Sequence, residues 1–497
     1  MRILLVTVCS ISLTACMVGP SFHTPPEPET HRFTELPLPS KTAGALRSKG
    51  PDKKQYFANG YDVPAEWWRL FHSKSLNCLI EAGLENSPNL QAAKAALRQA
   101  EENWRSQVGG LLLPAVDGQF SAIRQRSPLN QTAGINAITR EFTLYNAGVN
   151  ISYTLDIFGG ARRQLEAYAA QVDYQQFQLE AAYLTLTANI VTTTINIASL
   201  REQIAATQEI IRSLAAQLGI LKKQFNLGAV SGIEVLTQET QLAQTRASLP
   251  PLQENLAKSR DALAVLVGQF PSEAHLPQFN LNNLTLPRIL PVSLPSFLVR
   301  QRPDVRAQEA LLHAASAQIG VATANLFPKF TLTGSSYSQT DRFSRLFSAQ
   351  NIFWNYGIGI LQPIFHGGQL IHARRAAIAG YDQAAAVYRE TVLQAFQNVA
   401  DSLEAIKNDA LALQAEIQAE SAAARTLYVT TQQYRLGGTN YLFLLNAQRQ
   451  YQQAKINRIQ AQAARFADTA ALFQALGGGW WNREIPLPSP QLTEHHP

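Results

Sequence analysis

The sequence predicts an α+β membrane protein, in which long antiparallel helices carry a small β-sheet that further chains must complete. Three observations carry that expectation. The chain repeats itself: SPNLQAAKAALRQA from Ser87 answers RPDVRAQEALLHAA from Arg302, and QFNLGAVSGIEVLTQ from Gln224 answers QYRLGGTNYLFLLNA from Gln433. Each copy holds two segments of strand-like alternation between very long helical stretches. The first sixteen residues read as an export signal that ends in a cysteine.

The duplication is more than shared composition. Pro88 pairs with Pro303, Pro114 with Pro328, Phe158 with Phe365 and Gly228 with Gly437, at an offset that stays near 210 residues. Two copies of one unit, each poorly able to bury its own apolar face, predict a pseudosymmetric assembly rather than two independent domains.

At the N-terminus, Arg2 is a short basic region and Ile3 to Leu13 an apolar run, followed by Leu-Thr-Ala-Cys ending at Cys16. That is the pattern of a bacterial lipoprotein signal over residues 1–15, with Cys16 as the lipidated first residue of the mature chain. The alternative is an ordinary secretory signal with a chance cysteine. Met17, rather than Asp, follows Cys16, which resembles the rule for onward export to the outer membrane. Cys9 leaves with the signal, and Cys78 then stands alone, so no intrachain disulfide is expected. A formal net charge of +6 over 497 residues, without a basic stripe, gives nucleic-acid binding no support.

Along the chain, residues 16–75 read as an extended, Pro-rich lipidated segment. Repeat 1 spans 76–270. A helix is expected from near Leu76 to about Val108, stopped by Gly109-Gly110 and Pro114. A strand with Val116, Gly118, Phe120 and Ala122 on one face follows. The next strand sets Val149, Ile151, Tyr153, Leu155 and Ile157 against Asn150, Ser152, Thr154 and Asp156. Such alternation predicts one apolar and one wet face. A long helix from Ala161 to about Asn226 follows, weakened at the β-branched run Ile190 to Thr194. After the Leu227-Gly228 turn, a returning helix reaches about Gly268 and must kink or split at Pro250-Pro251.

Residues 271–300, with five prolines, form a linker. Repeat 2, 301–477, repeats the order: a helix from Pro303 to about Asn325, two strands between Pro328 and Gly367, a long helix over Leu370 to Arg435, and a last helix to Leu476. No proline answers Pro250-Pro251, so this last helix is expected to be straighter. Residues 478–497 form a tail.

No apolar stretch reaches the roughly 18 uninterrupted residues of a transmembrane helix. Four strands of roughly 10–12 residues do have the length to cross a bilayer when tilted. Four cannot close a barrel, and an open edge in hydrocarbon leaves unpaired backbone groups costing several kcal/mol each. Other chains must complete the sheet: eight strands from a dimer would make a filled barrel, twelve from a trimer would leave a lumen. A helix of such length spans roughly 100 Å, far beyond a bilayer, and predicts a helical tube standing off the membrane.

Six segments carry a family likeness: CMVGP, EWWRLFHSKSLNCLI, LPSFLVRQRPDVRAQEA, AQIGVATANLFPKFTLTG, YRLGGTNYLFLLNAQR and ALGGGW, together running from Cys16 to Trp480. The chain resembles the lipoprotein branch of the TolC-like outer-membrane efflux factors. The resemblance implies a homotrimer in the outer membrane of a Gram-negative bacterium, with a twelve-stranded barrel and a helical periplasmic tunnel. It implies a passive exit duct for small molecules such as drugs, opened when a periplasmic adaptor and an inner-membrane RND-type transporter dock. It also implies a gate at Leu442, Phe443, Asn446 and Arg449, and an inter-helix lock containing Glu234 and Tyr434. Relatives usually carry aspartate where Asn446 stands, and some carry another where Phe443 stands, so no acidic ring is expected in this second copy. The partner arginine of the lock corresponds to Thr439, with Arg435 the candidate substitute. The alternatives are a duct for polypeptide secretion and a lipid-anchored structural protein without a pore.

No enzyme is expected, and no cofactor beyond the lipid on Cys16. His366 and His372 have no carboxylate pair at metal-ligand spacing, and Tyr356-Gly357-Ile358-Gly359 opens no helix, so it is not a phosphate loop. Trp67-Trp68 and Trp480-Trp481 are expected to be packing residues rather than a ligand platform.

Overall fold

A computed structural model describes residues 17–44, 53–129 and 138–483. Cys16, its signal and most of the tail lie outside the described residues. The expected single first helix is in fact two, α1 (Lys74–Asn86) and α2 (Pro88–Leu112). Pro88 supplies the break, because it sits at the first position of α2, where its missing N–H costs nothing. A second correction is at Gly109-Gly110, which stays helical; the helix runs on to Leu112 and Pro114 ends it.

A four-stranded antiparallel sheet has the order β2 (Ala115–Leu129), β3 (Ile138–Leu155), β5 (Lys329–Thr340) and β6 (Ile352–Leu361). The first pair, of 15 and 18 residues, is longer than the alternation in the sequence marked. Register joins Val116 to Ile151, Ile151 to Gly334 and Gly334 to Tyr356. Paired residues share a face, so Val116, Phe120, Val149, Ile151, Leu332, Trp354, Tyr356, Ile358 and Ile360 form one apolar side. All nine are exposed. On the other side lie Asp117, Gln119, Asn150, Ser152, Thr333, Ser335 and Asn355. Among the described residues, neither β2 nor β6 pairs along its outer edge.

From the sheet the chain enters α3 (Gly160–Asn226), a 67-residue helix. The β-branched run at Ile190 to Thr194 does not interrupt it. Ile190, Val191 and Ile195 are buried there, and the Thr192 hydroxyl donates to the Ala188 carbonyl at 2.9 Å. Packing overrides local propensity at this point. The returning arm is split as the prolines require, into α4 (Gly232–Ala247) and α5 (Leu249–Leu266). The second half repeats this order with α7 (Pro303–Ala324), α8 (Gln369–Arg435, again 67 residues) and α9 (Tyr441–Ala475), which runs 35 residues unbroken.

The residues expected only to link and lead do more than that. β1 (Tyr56–Asn59) pairs in parallel with β4 (Ile289–Val292), and α6 (Pro295–Gln301) follows β4. The guanidinium of Arg465, which is 1% exposed, donates to Gln55 Oε1 at 3.2 Å, Lys53 O at 2.7 Å and Thr42 Oγ1 at 3.2 Å. Beside it lies the aromatic core: Trp67 stacks on Phe473 with centroids 5.4 Å apart, and Phe71 lies 6.3 Å from Phe466. The tryptophan pairs are packing groups, with Trp480 Nε1 donating to the Gln301 carbonyl at 2.7 Å.

The chain divides into two compact units. The described residues of one fall within Met1–Pro25, Ala96–Gln175 and Ala307–Arg389 and include the sheet. Those of the other fall within Pro26–Ala95, Gln176–Arg306 and Glu390–Pro497 and include the aromatic core and both helical turns described below. Each unit draws on both halves of the sequence. No described helix is long and apolar enough to cross a membrane.

Candidate functional site

The candidate gate residues sit where α3 turns into α4 and α8 into α9. Both turns carry a glycine with φ of +75°, Gly228 and Gly437, a conformation that a Cβ would strain. The Gln224 carbonyl accepts from Leu227 and Ala229 N–H, and the Gln433 carbonyl accepts equivalently from Leu436 and Gly438. The two copies diverge just beyond. The Asn440 side chain caps α9, accepting from Phe443 N–H at 3.2 Å, whereas Ser231 makes no such bond to α4. In place of that cap, α4 has Glu234 in its first turn, where the helix N-terminus favours negative charge.

Behind the turns, Leu221, Tyr441 and Leu445 are buried together, with Val230, Val235 and Tyr434 packed around them. The Tyr434 and Tyr441 rings meet edge to face at 6.0 Å. The Tyr441 hydroxyl donates to Gln238 Oε1, and Gln238 Nε2 donates to the Leu214 carbonyl at 2.9 Å. One turn further along, Arg449 Nε donates to Gln241 Oε1 at 2.5 Å, and Gln448 hydrogen-bonds Gln217. Amide side chains thus bridge α3, α4 and α9 at positions that an apolar seam would otherwise fill.

Among the expected gate residues, Leu442 is 60% and Phe443 63% exposed. Asn446 and Arg449 are exposed too. Leu442, Asn446 and Arg449 recur at i, i+4 and i+7, so they share one face of α9, while Tyr441, Leu444 and Leu445 occupy the buried side. Arg449 both reaches this face and bonds to α4.

The expected lock residues act on each other through charge alone. Neither the Glu234 carboxylate nor the Tyr434 hydroxyl has a hydrogen-bond partner among the described residues. Burial pushes the Tyr434 hydroxyl above its ordinary value, and the Glu234 charge pushes the same way. Tyr441 is raised as well, by burial first and then by Tyr434 and Glu234, against the pull of Arg449. Arg435 is exposed and forms no ion pair among the described residues. The hydrogen-bonded side chains behind the turns are Tyr441, Gln238, Gln241, Arg449, Gln448 and Gln217, and of these only Arg449 stood out in the sequence. The overlooked signal is Gln238, Gln241 and Thr245 at three- and four-residue spacing, a buried stripe written in polar residues. No group of His, Cys, Asp and Glu able to hold a metal ion occurs among the described residues.

Comparison with known proteins gives this geometry a setting. The family described as outer membrane efflux protein matches residues 79–269 and 294–478, more than half of the chain. The pyoverdine export outer membrane protein OpmQ of Pseudomonas putida is 29% identical over 418 residues, covering 83% of this chain and 88% of its own length. The cation efflux system protein CusC of Escherichia coli is 27% identical over 477 residues, covering 95% and 97% respectively. Among solved structures, the outer-membrane channel OprN matches at a TM-score of 0.83 and 27% identity, over 94% of this chain and 100% of its own. The open state of the Neisseria gonorrhoeae MtrE outer membrane channel matches at 0.77 and 25%, over 93% and 98%. With both halves matched and relatives aligned nearly end to end, the chain belongs to the outer membrane efflux protein family.

Proposed function

We propose that the chain is the outer-membrane channel of a tripartite efflux pump, a homotrimer that gives small molecules a passive exit. A periplasmic adaptor and an inner-membrane RND-type transporter would supply the energy and open it. The observation that carries this reading is the four-stranded sheet, mainly apolar on one face, mainly polar on the other and, among the described residues, unpaired at both outer edges. Hydrocarbon tolerates only closed sheets, and twelve strands close around a lumen whereas eight are filled by side chains. Threefold closure would turn Trp354, Tyr356 and Ile358 to lipid and Asn150, Ser152 and Thr333 to water.

Closure of the periplasmic end is assigned to the two turns, with Leu442, Phe443, Asn446 and Arg449 lining the constriction. Glu234 and Tyr434, without a hydrogen-bond partner among the described residues, are available to a neighbouring protomer. Transport of this kind needs no catalytic group, only a gate whose open state is favoured by partner contacts. Cys16 is assigned as the acylated anchor.

The protein mass of the detergent-extracted particle tests the reading. Three times the mass of the processed chain, together with discrete conductance in planar bilayers, is the expected result. A stable monomer would leave both strand edges bare and overturn the channel.

A further inference from the structure

The first residues after Cys16 are held against the body of the protein by a built site. Val18 N–H donates to the Phe158 carbonyl at 3.1 Å. Arg163, 2% exposed, turns its Nε to the Val18 carbonyl at 3.2 Å and Nη2 to the Gly19 carbonyl at 3.4 Å. Its remaining nitrogen pairs with Glu166 at 2.7 Å, and the other Glu166 oxygen meets His313 Nε2 at 2.9 Å. His313 in turn stacks on Phe22, with centroids 4.4 Å apart and planes 15° from parallel. Burial raises the Glu166 carboxyl, but the bonds from His313 and Arg163 outweigh it and hold it below its ordinary value.

Backbone fit completes the site. A Cβ on Gly159, whose φ is +76°, would come within 2.8 Å of the Met17 Cα, and one on Gly19 within 2.5 Å of the Gly320 Cα. Both glycines permit a main-chain approach that any larger residue would block. A buried arginine committed to two leader carbonyls is costly unless every donor is used. Here the costs are met by groups from the leader and from α3, with α7 closing the far side through His313 and Gly320.

We propose that Arg163, Glu166 and His313 form a positioning clamp for residues 17–22, which makes the acyl group on Cys16 a fixed pin rather than a tether. Cys16 precedes Met17 by one peptide link, about 3.8 Å between Cα atoms. Met17 lies on Gly159, four residues beyond the end of β3. The acyl chains therefore leave the protein where the strands end. Without the clamp, the extended leader up to β1 would let them wander over tens of ångströms, as a flexible linker of its length does. The pin rests on the reading of Cys16 as acylated; the clamp itself does not.

The test separates the two. In full-length protein with Cys16→Ser and a replaced signal, a protease site is placed at the exposed residues 29–32 and cut after purification. The unacylated leader fragment is expected to stay with the particle, with amides at 18–22 exchanging hydrogen at least about tenfold more slowly than in Arg163→Ala. Phe22→Ala, which leaves the body of the protein untouched, is expected to release the fragment as well. Loss of the fragment from the otherwise unaltered chain, or leader exchange as fast as in Arg163→Ala, would overturn the clamp. If the fragment is retained but mass spectrometry of the mature protein with its own signal and Cys16 intact shows no acyl group on Cys16, the clamp stands and the pin is overturned. A monomeric particle would count against the channel and against neither of these.

Discussion

Tyr441 shows how a single side chain ties the turn of the second repeat to the first. Its hydroxyl is the donor to buried Gln238, so Tyr441→Phe leaves the Gln238 oxygen without a donor. A stranded buried acceptor costs about 1–3 kcal/mol, and a matching fall in unfolding free energy, read by denaturant titration, is the expected result; no change would mean that water replaces the hydroxyl. Glu234 is the converse case, a carboxylate without a hydrogen-bond or ion-pair partner among the described residues. Glu234→Ala is expected to increase single-channel conductance by removing a contact between protomers, and an unchanged conductance would count against the lock. A third residue sets a pH dependence. Asp409 on α8 has a buried Oδ2 without a donor among the described residues. Burial, then the hydrogen bond and charge of Asp468 on α9, push its carboxyl up to about 7 against the pull of Arg465. The native state therefore keeps this proton between about pH 4 and pH 7, where an unfolded aspartate has lost it. The stability it lends is complete below that window, declines through it and is gone above. Thermal unfolding of Asp409→Asn should accordingly show a flatter dependence between pH 4.5 and 8 than the unaltered chain, and parallel curves would refute the shared proton. Of these three residues only Glu234 stood out in the sequence, through the family resemblance; Tyr441 and Asp409 do not, because each acts through a neighbour on a different helix.

At the scale of elements the sequence was far more legible, and the reasons are physical. Period-two alternation marked both faces of β3 from Val149 to Leu155, because a sheet with one apolar and one polar side leaves no freedom of register. Asp156 and Ile157 lie past the strand, where Asp156 accepts from the Ala161 and Arg162 N–H groups instead. Pro250-Pro251 located the break between α4 and α5, since proline removes a helical donor wherever it falls inside. Two features of the first helix were misjudged. The glycines at 109–110 stay helical, and Pro88 divides a helix whose apolar spacing runs on across it. Strand β6 offers a test of the faces. Tyr356 and Asn355 are neighbours on opposite sides of it. A lysine on the lipid side costs about 2–4 kcal/mol at the bilayer midplane. Tyr356→Lys should therefore lower the yield of folded trimer in membranes several-fold, while Asn355→Lys should leave it nearly unchanged; equal losses would mean that neither face meets lipid.

For the whole molecule, what matters is what threefold symmetry does to a residue that is modest in one chain. Asn446 is a neutral, exposed side chain on the face of α9 that also carries Leu442 and Arg449. In a trimer it becomes a ring of three, and a ring of amides supplies dipoles but no fixed charge. Fixed charge is what selects ions at a constriction, since rings of carboxylates draw cations and rings of arginine or lysine draw anions. Among the described residues of α9, the fixed charge on this face is Arg449, and its Nε donates to Gln241 Oε1. The closed channel is therefore expected to show little cation preference, and little block by multivalent cations. Asn446→Asp reverses this with one atom per chain. Three carboxylates brought close together create a site that a multivalent cation can bridge, as three separate amides cannot. The substitution should shift the reversal potential toward cation selectivity in a salt gradient. It should also make conductance sensitive to a trivalent cation such as hexaamminecobalt, with half-block moving at least about tenfold lower, the effect of a 1.4 kcal/mol gain in binding. Unchanged selectivity and block would place Asn446 away from the narrowest point. The constriction would then fall to the exposed apolar pair Leu442 and Phe443, which close a pore by excluding water rather than by charge.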